Sequence, residues 1–308
     1  MTTLNPILVV AIVFGLIFVI FNSLSLGLSI PIGELIAHFF ENWLLALLVL
    51  VINFIILPIL AIGFVLLLAS SMPGELKLGF CVVALGAGAP FAPVLTRVAK
   101  GNVNMSVMMM IVLMVVTFIV LPFALPPVVS AVDPSVTVSA WGVAWPLLLF
   151  MLAPMVIGIL FRLRWPDVAL QGAHLFGPIT LTCLLVHLCL FIFAFWGLFA
   201  SAWGTEAYIA ALAFPFIAIL CGYILVSLLR IKDLGTRHAC EITTGQRNLS
   251  ASILVAIFPL GAYPLVSVSV LSIQIIAILV VLVFSMEWGR AQAQKGAEAK
   301  TAVASESA

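Results

Sequence analysis

Apolar residues fill this chain in long, nearly unbroken stretches, and polar residues are confined to the short gaps between them. A bilayer core about 30 Å thick needs about 20 apolar residues per helical crossing. On that measure nine segments are predicted, near Asn5–Leu28, Asn42–Ala69, Pro73–Ala99, Val103–Pro126, Trp141–Leu163, His174–Ala200, Glu206–Leu229, Leu234–Phe258 and Pro264–Trp288. Membrane strands alternate apolar and polar positions over about ten residues, whereas these runs are continuously apolar and rich in Leu and Ala. The expected fold class is therefore an all-α polytopic membrane protein with nine transmembrane helices.

The basic residues orient the segments. Arg97 and Lys100 follow the third, Arg162 and Arg164 the fifth, Arg230, Lys232 and Arg237 the seventh, and Arg290, Lys295 and Lys300 the ninth. With nine crossings all of these fall on one side, and that side is the cytoplasmic one by the positive-inside rule. Only Lys77 lies opposite, and Arg247 falls within a segment. The expected arrangement is an integral protein of a bacterial inner (plasma) membrane, with its N-terminus outside and its C-terminus in the cytoplasm. The loop near 30–41 fits this poorly, since it holds Glu34 and Glu41 but no Lys or Arg. The N-terminal run has no basic flank before it and no small-residue cleavage pattern after it, so it reads as a retained span. The polar stretch after Trp288 reads as a disordered tail, residues 289–308.

Two segments carry helix breakers at the same ordinal place. The third contains Gly86-Ala-Gly-Ala-Pro90, then Phe91-Ala-Pro93; the eighth contains Thr243-Thr-Gly-Gln-Arg-Asn248. Each is third in a run of four, so residues 1–126 (spans 1–4) and 174–288 (spans 6–9) form an inverted repeat around a linking span, 141–163. Broken helices at matching places of two inverted halves mark a transporter's binding site. Their free backbone ends can hold ions or anionic groups, because lipid satisfies neither. The other reading of either break is a kink that only shapes packing.

Composition narrows the chemistry. With 65% hydrophobic and 7% charged residues, the chain leaves little room for a soluble domain. A net charge of +1 gives no basic face for nucleic acid. The five cysteines form no CxxC pair, and no nucleophile elbow, paired carboxylates or metal-ligand cluster is visible. An enzyme is not expected, nor is a cofactor or a bound metal.

Three stretches make the sequence similar to the bile acid:sodium symporter family. Asn53-Phe-Ile-Ile-Leu-Pro58 resembles the family's Gln-Phe-x-x-x-Pro element. Thr96-Arg-Val-Ala-Lys-Gly-Asn-Val-Asn-Met-Ser106 resembles its Thr-x-x-Ala-Arg-Gly-Asn-x-x-x-Ser run, and Thr243-Thr-Gly-Gln-Arg-Asn248 its Glu-x-Gly-x-Gln-Asn signature. The resemblance implies panel and core domains, two discontinuous helices crossing near the bilayer midplane, and alternating-access transport of bile acids or other organic anions with sodium. It also implies departures. Where the family holds one sodium this chain has Ala92, Pro93 and Met110, with only Ser106 kept; where it holds the other, Thr243, Arg247 and Asn53 stand. Hard cations need several oxygen ligands, so both sodium sites are expected to be lost, with Arg247 standing in for one cation.

Candidate substrate-binding residues are thus Arg247, Asn248, Gln246, Thr243, Thr244, Asn53, Pro90 and Ala92, with Glu241 and Ser106 as possible coupling residues. Two roles stay open for Arg247: bidentate contact with an anion, or a pair with Glu241 across the break. Glu241 itself is either a proton relay or a solvated interfacial charge beside Arg237 and His238. The expected function is a secondary transporter of a small or amphipathic organic anion, with sodium doubtful and a proton possible as partner. The alternative is a transport-inactive sensor or scaffold on the same fold.

Overall fold

The computed structural model describes residues 6–67, 69 and 71–306, and the backbone alone over 295–306. Among the described residues it is entirely helical, without a strand. Seven helices among those residues are long and apolar enough to cross a membrane: Pro6–Ser29, Trp43–Leu67, Val103–Val132, Ala140–Arg164, Pro166–Ala194, Ala207–Leu228 and Pro264–Gln294. The two segments carrying breakers are each divided. The third becomes Gly74–Leu85 and Ala92–Val98, and the eighth becomes Leu234–Gly245 and Leu249–Ile257.

In chain order these are α1 (Pro6–Ser29), α2 (Ile32–Glu41), α3 (Trp43–Val51), α4 (Leu57–Leu67), α5 (Gly74–Leu85), α6 (Ala92–Val98), α7 (Val103–Val132) and α8 (Ala140–Leu147). They continue as α9 (Ala153–Arg164), α10 (Pro166–Ala194), α11 (Trp196–Ala202), α12 (Ala207–Leu228), α13 (Leu234–Gly245), α14 (Leu249–Ile257) and α15 (Pro264–Glu306). Helix α2 lies outside every expected segment. It is short and amphipathic, and its apolar Ile36 and Phe40 are exposed. Residues 289–306, expected as a disordered tail, continue α15 as helix to Glu306. The expectations that touch 1–5 and 307–308 lie outside the described residues.

Two π turns join α3 to α4 and α8 to α9, at Ile52–Ile56 and Leu148–Leu152. Each ends two residues before a proline, Pro58 or Pro154. Proline lacks an N–H and its ring crowds the carbonyl four residues back, and the wider turn relieves both defects. The first of these turns positions the site. The Leu57 N–H reaches back to the Ile52 carbonyl, so the Asn53 carbonyl is left without its usual helical donor.

Helices α1, α9 and α10 pack on one another, while α5, α7, α12, α13, α14 and α15 form a second group. Close approach in the first group depends on small residues. A Cβ on Gly27 would strike the Met155 carbonyl, and one on Gly158 would meet Leu24 and Leu28 of α1. Buried small residues of this kind let membrane helices gain dispersion contacts that the hydrophobic effect cannot supply between lipid-bathed surfaces. The two groups meet where the Asn22 amide of α1 donates to Ser250 Oγ of α14, at 3.2 Å.

Candidate functional site

The two breaks lie against each other. Gly86 ends α5 in an extended conformation, Gly88 takes φ +81, and Pro90 forbids the helix from closing again before Ala92. Gln246 and Asn248 are extended as well, and Asn248 caps α14 by accepting from the Ala251 N–H. The Asn248 N–H donates to the Gly86 carbonyl at 3.0 Å, and its side-chain amide donates to the Ala87 carbonyl at 3.2 Å. Thr117 of α7 holds the same peptide from the other side, its hydroxyl accepting from Ala87 N–H and donating to Ala87 O.

A helix ending inside a membrane leaves its last carbonyls without partners. At the end of α5 three of these oxygens can be traced. The Val82 carbonyl accepts from Gly86 N–H. The next two, Val83 and Ala84, accept from Arg247: Nε donates to Val83 O at 3.1 Å, and an NH2 proton goes to Ala84 O. The rest of the guanidinium turns to Asn53, NH1 donating to Oδ1 at 2.7 Å and NH2 to the carbonyl freed by the π turn at 3.4 Å. Arg247 is 1% exposed and, among the described residues, has no carboxylate partner. A cation is thus set on the negative end of a half-helix, held by four oxygens.

This geometry corrects one of the two roles open for Arg247, the pair with Glu241. The Glu241 carboxylate instead faces His238 Nδ1 at 3.3 Å. Nor is Glu241 a solvated charge, being only 4% exposed.

A second polar cluster adjoins the first. Thr96 of α6 donates its hydroxyl proton to the Ala92 carbonyl and lies 3.0 Å from Ser106 Oγ, and Ser106 meets Thr243 Oγ1 at 3.2 Å. Three buried hydroxyls thereby tie α6, α7 and α13 together. Asn53 links the two clusters to α13, its amide reaching Thr244 Oγ1 at 3.4 Å and Val49 O at 2.9 Å. Arg247, Asn53, Asn248, Thr243, Thr244, Ser106 and Ala92 are therefore gathered at the breaks. Gln246 points away, donating to Ala277 O of α15. Pro90 lies in the first break, partly exposed.

Thr96, Thr117 and His238 have roles here that the sequence patterns do not single out. Thr96 and Ser106 bound the Lys-Gly-Asn stretch, and Thr117 stands alone in an apolar span; a lone hydroxyl in such a run was the available signal. Asp233 caps α13 outside the apolar run, and the Thr236 side chain and N–H hold its carboxyl below the usual range.

A model of the Sodium Bile acid symporter family matches residues 14–200, more than half of the chain. The matched stretch contains Asn53, the first break and Ser106, and ends before the second break and Arg247. No curated protein matches the chain.

Proposed function

The chain belongs to the sodium bile acid symporter family, and from that premise we propose that it is a secondary transporter which moves a small or amphipathic organic anion by alternating access, with Arg247 in place of a sodium ion. The observation that carries this reading is the buried guanidinium. Its partners are the Val83, Ala84 and Asn53 oxygens, a set of neutral hard oxygens of the kind a dehydrated cation takes. Among the described residues no carboxylate pairs with it. The breaks therefore carry an excess positive charge, reinforced by the N-terminal end of α14.

An anionic cargo would supply the missing charge. We place it at the N-terminal ends of α6 and α14, near Ala92, Pro90 and Asn248, with Thr243, Thr244 and Gln246 shaping the surroundings. Most of Arg247's donors are already engaged, so it acts on the anion through its field. In this reading the seven long helices and two broken pairs make nine crossings and two inverted repeats. The group α1, α8–α9 and α10 is the panel and the remainder the core. The basic ends face the cytoplasm.

Counterflow of labelled organic acids in liposomes tests the reading, with sodium replaced by choline. Exchange that survives in choline is expected. A strict sodium requirement would overturn the replacement of sodium by Arg247, and an absence of exchange across a panel of organic acids would overturn transport.

A further inference from the structure

A carrier that has lost its sodium ligands needs another source of coupling. We propose that Glu241 and His238 form a proton site, and that its proton is the coupling ion of the cycle proposed above, on which this inference rests.

Burying an ionised carboxylate is costly unless a partner compensates it. The partner of Glu241 is His238, at 3.3 Å, an imidazole that is cationic only when protonated. His238 is itself fixed, its ring stacked on Trp288 of α15 at 4.5 Å and 6°. Among the described residues, the elements packed around the pair place no charged group in an ion pair with Glu241. Helix α12 presents Gly222 against the Glu241 backbone, and the α6–α7 turn brings Gly101 close to His238 Cβ. On α7, the Ser106 hydroxyl is engaged with Thr243, two residues along α13 from Glu241.

The charged groups nearby are otherwise occupied or exposed. Arg237 lies over Tyr223 and donates to Ile231 O and Ser227 Oγ. On α15, Glu287 and Arg290 pair with each other at the surface. Arg97 and Lys100 are exposed and make no ion pair with Glu241. Asp233 and Cys240, on or capping the same helix, are the remaining titratable groups whose fields reach the pair.

The pair is therefore neutral when it holds one proton, as imidazolium and carboxylate. Losing that proton strands a buried carboxylate; gaining a second leaves a partly buried imidazolium without its counter-charge. Exchange of that proton with either side requires the site to be hydrated. Glu241 shares α13 with the second break, so a movement that opens the breaks to one side also changes the pair's access to water. In each cycle one proton is taken up from one side and delivered to the other, with no other bond made or broken. Moved together with a monovalent anion, it transfers no net charge.

The proton itself is the probe. Proteoliposomes in sodium-free choline buffer, adsorbed on a solid-supported membrane, are given a step in pH without any organic acid. A transient charge displacement is expected for the wild type and for a His38→Gln control. In Glu241→Gln it should fall to about a tenth or less. In His238→Gln the pH of half-amplitude should move by about one unit or more, as loss of a charged neighbour requires. A purely structural pair would leave that profile in place. Each variant is first checked for a monodisperse peak on size exclusion. A wild-type transient that persists in Glu241→Gln, or a folded wild type with no transient, overturns the proposal. Counterflow in choline is read separately, so its failure would strike the transport reading while leaving the proton measurement intact.

Discussion

The guanidinium of Arg247 and the side-chain oxygen of Asn53 meet at 2.7 Å, although 194 residues separate them. The π turn makes the meeting twofold, because it also frees the Asn53 carbonyl for the same guanidinium. A proline at position 58 thus prepares the receptor for an arginine far along the chain. The arginine in turn completes the end of a half-helix, α5, that would otherwise expose two carbonyls inside the protein.

Removing that arginine should be severe. Arg247→Ala leaves the Val83, Ala84 and Asn53 oxygens without their donors, and buried unpaired groups cost about 1–3 kcal/mol each. A total loss of about 3 kcal/mol or more is expected, read as a fall in thermal midpoint in detergent. Arg247→Lys keeps the charge but lacks the planar fork, so its midpoint should lie between the two.

Arg247→Gln tests the idea of a tethered cation more directly. It removes the fixed charge and leaves a carbonyl oxygen beside the existing ones. Sodium should then stabilise the variant, by about 2.7 kcal/mol at a concentration one hundred times its dissociation constant. The wild type should show no such response. Thermal shift in sodium against choline measures the difference, and identical behaviour of the two proteins would count against the substitution of ion by side chain.

Much of this was legible in the order of residues. The runs of apolar residues marked where the long helices fall, and Gly86, Gly88, Pro90 and Gly245 marked both interruptions. The amphipathic α2 escaped notice because its ten residues are too short for a span and its exposed Ile36 and Phe40 blend into the neighbouring apolar segment. The partners of Arg247 are not legible for another reason. Charge complementarity offers Glu241 as one of its two possible roles, but the donors are answered by Asn53 Oδ1 and by backbone carbonyls, which every residue carries and no pattern distinguishes. The freeing of the Asn53 carbonyl depends on a hydrogen-bond shift of a single residue, which hydropathy cannot register.

The cap on α13 gives a prediction in pH. Asp233 accepts from the Thr236 N–H at 2.7 Å, and the Thr236 side chain together with this bond keeps its carboxyl below the usual value of 3.8. A carboxyl depressed by folding stabilises the fold above its unfolded pKa, and that contribution is lost as the pH falls through the folded one. Asp233→Ala should therefore cost about 1 kcal/mol near neutral pH. Asp233→Asn, which can still accept the bond, should cost less. The difference between Ala and wild type should shrink as unfolding is measured at pH values below 3.8.

Gly88 should tolerate no side chain. Its φ of +81 suits glycine, and an added Cβ would collide with the backbone of α7 at Met110 and Met114. Relief would require the first break to move away from α7, straining the Thr117 bonds to Ala87. Gly88→Ala is expected to destabilise by about 1–3 kcal/mol. The same change at Gly63, where a Cβ meets nothing within 4 Å, should be nearly silent. Denaturation of the two variants side by side gives the comparison.

The contact between Asn22 and Ser250 bears on motion. Asn22 belongs to α1, in the group with α9 and α10, and Ser250 lies in the first turn of α14, two residues beyond the second break. If one group rocks against the other during transport, this bond must break in every cycle; if the chain is a static scaffold, it need never open. Cysteines at both positions would convert it to a covalent link, on a background with the exposed Cys189 replaced by serine. Under oxidation, counterflow should fall at least tenfold and return on reduction, while the thermal midpoint stays the same or rises. Exchange that continues at full rate with the link formed, verified by mass spectrometry, would mean that the two groups do not separate at this seam.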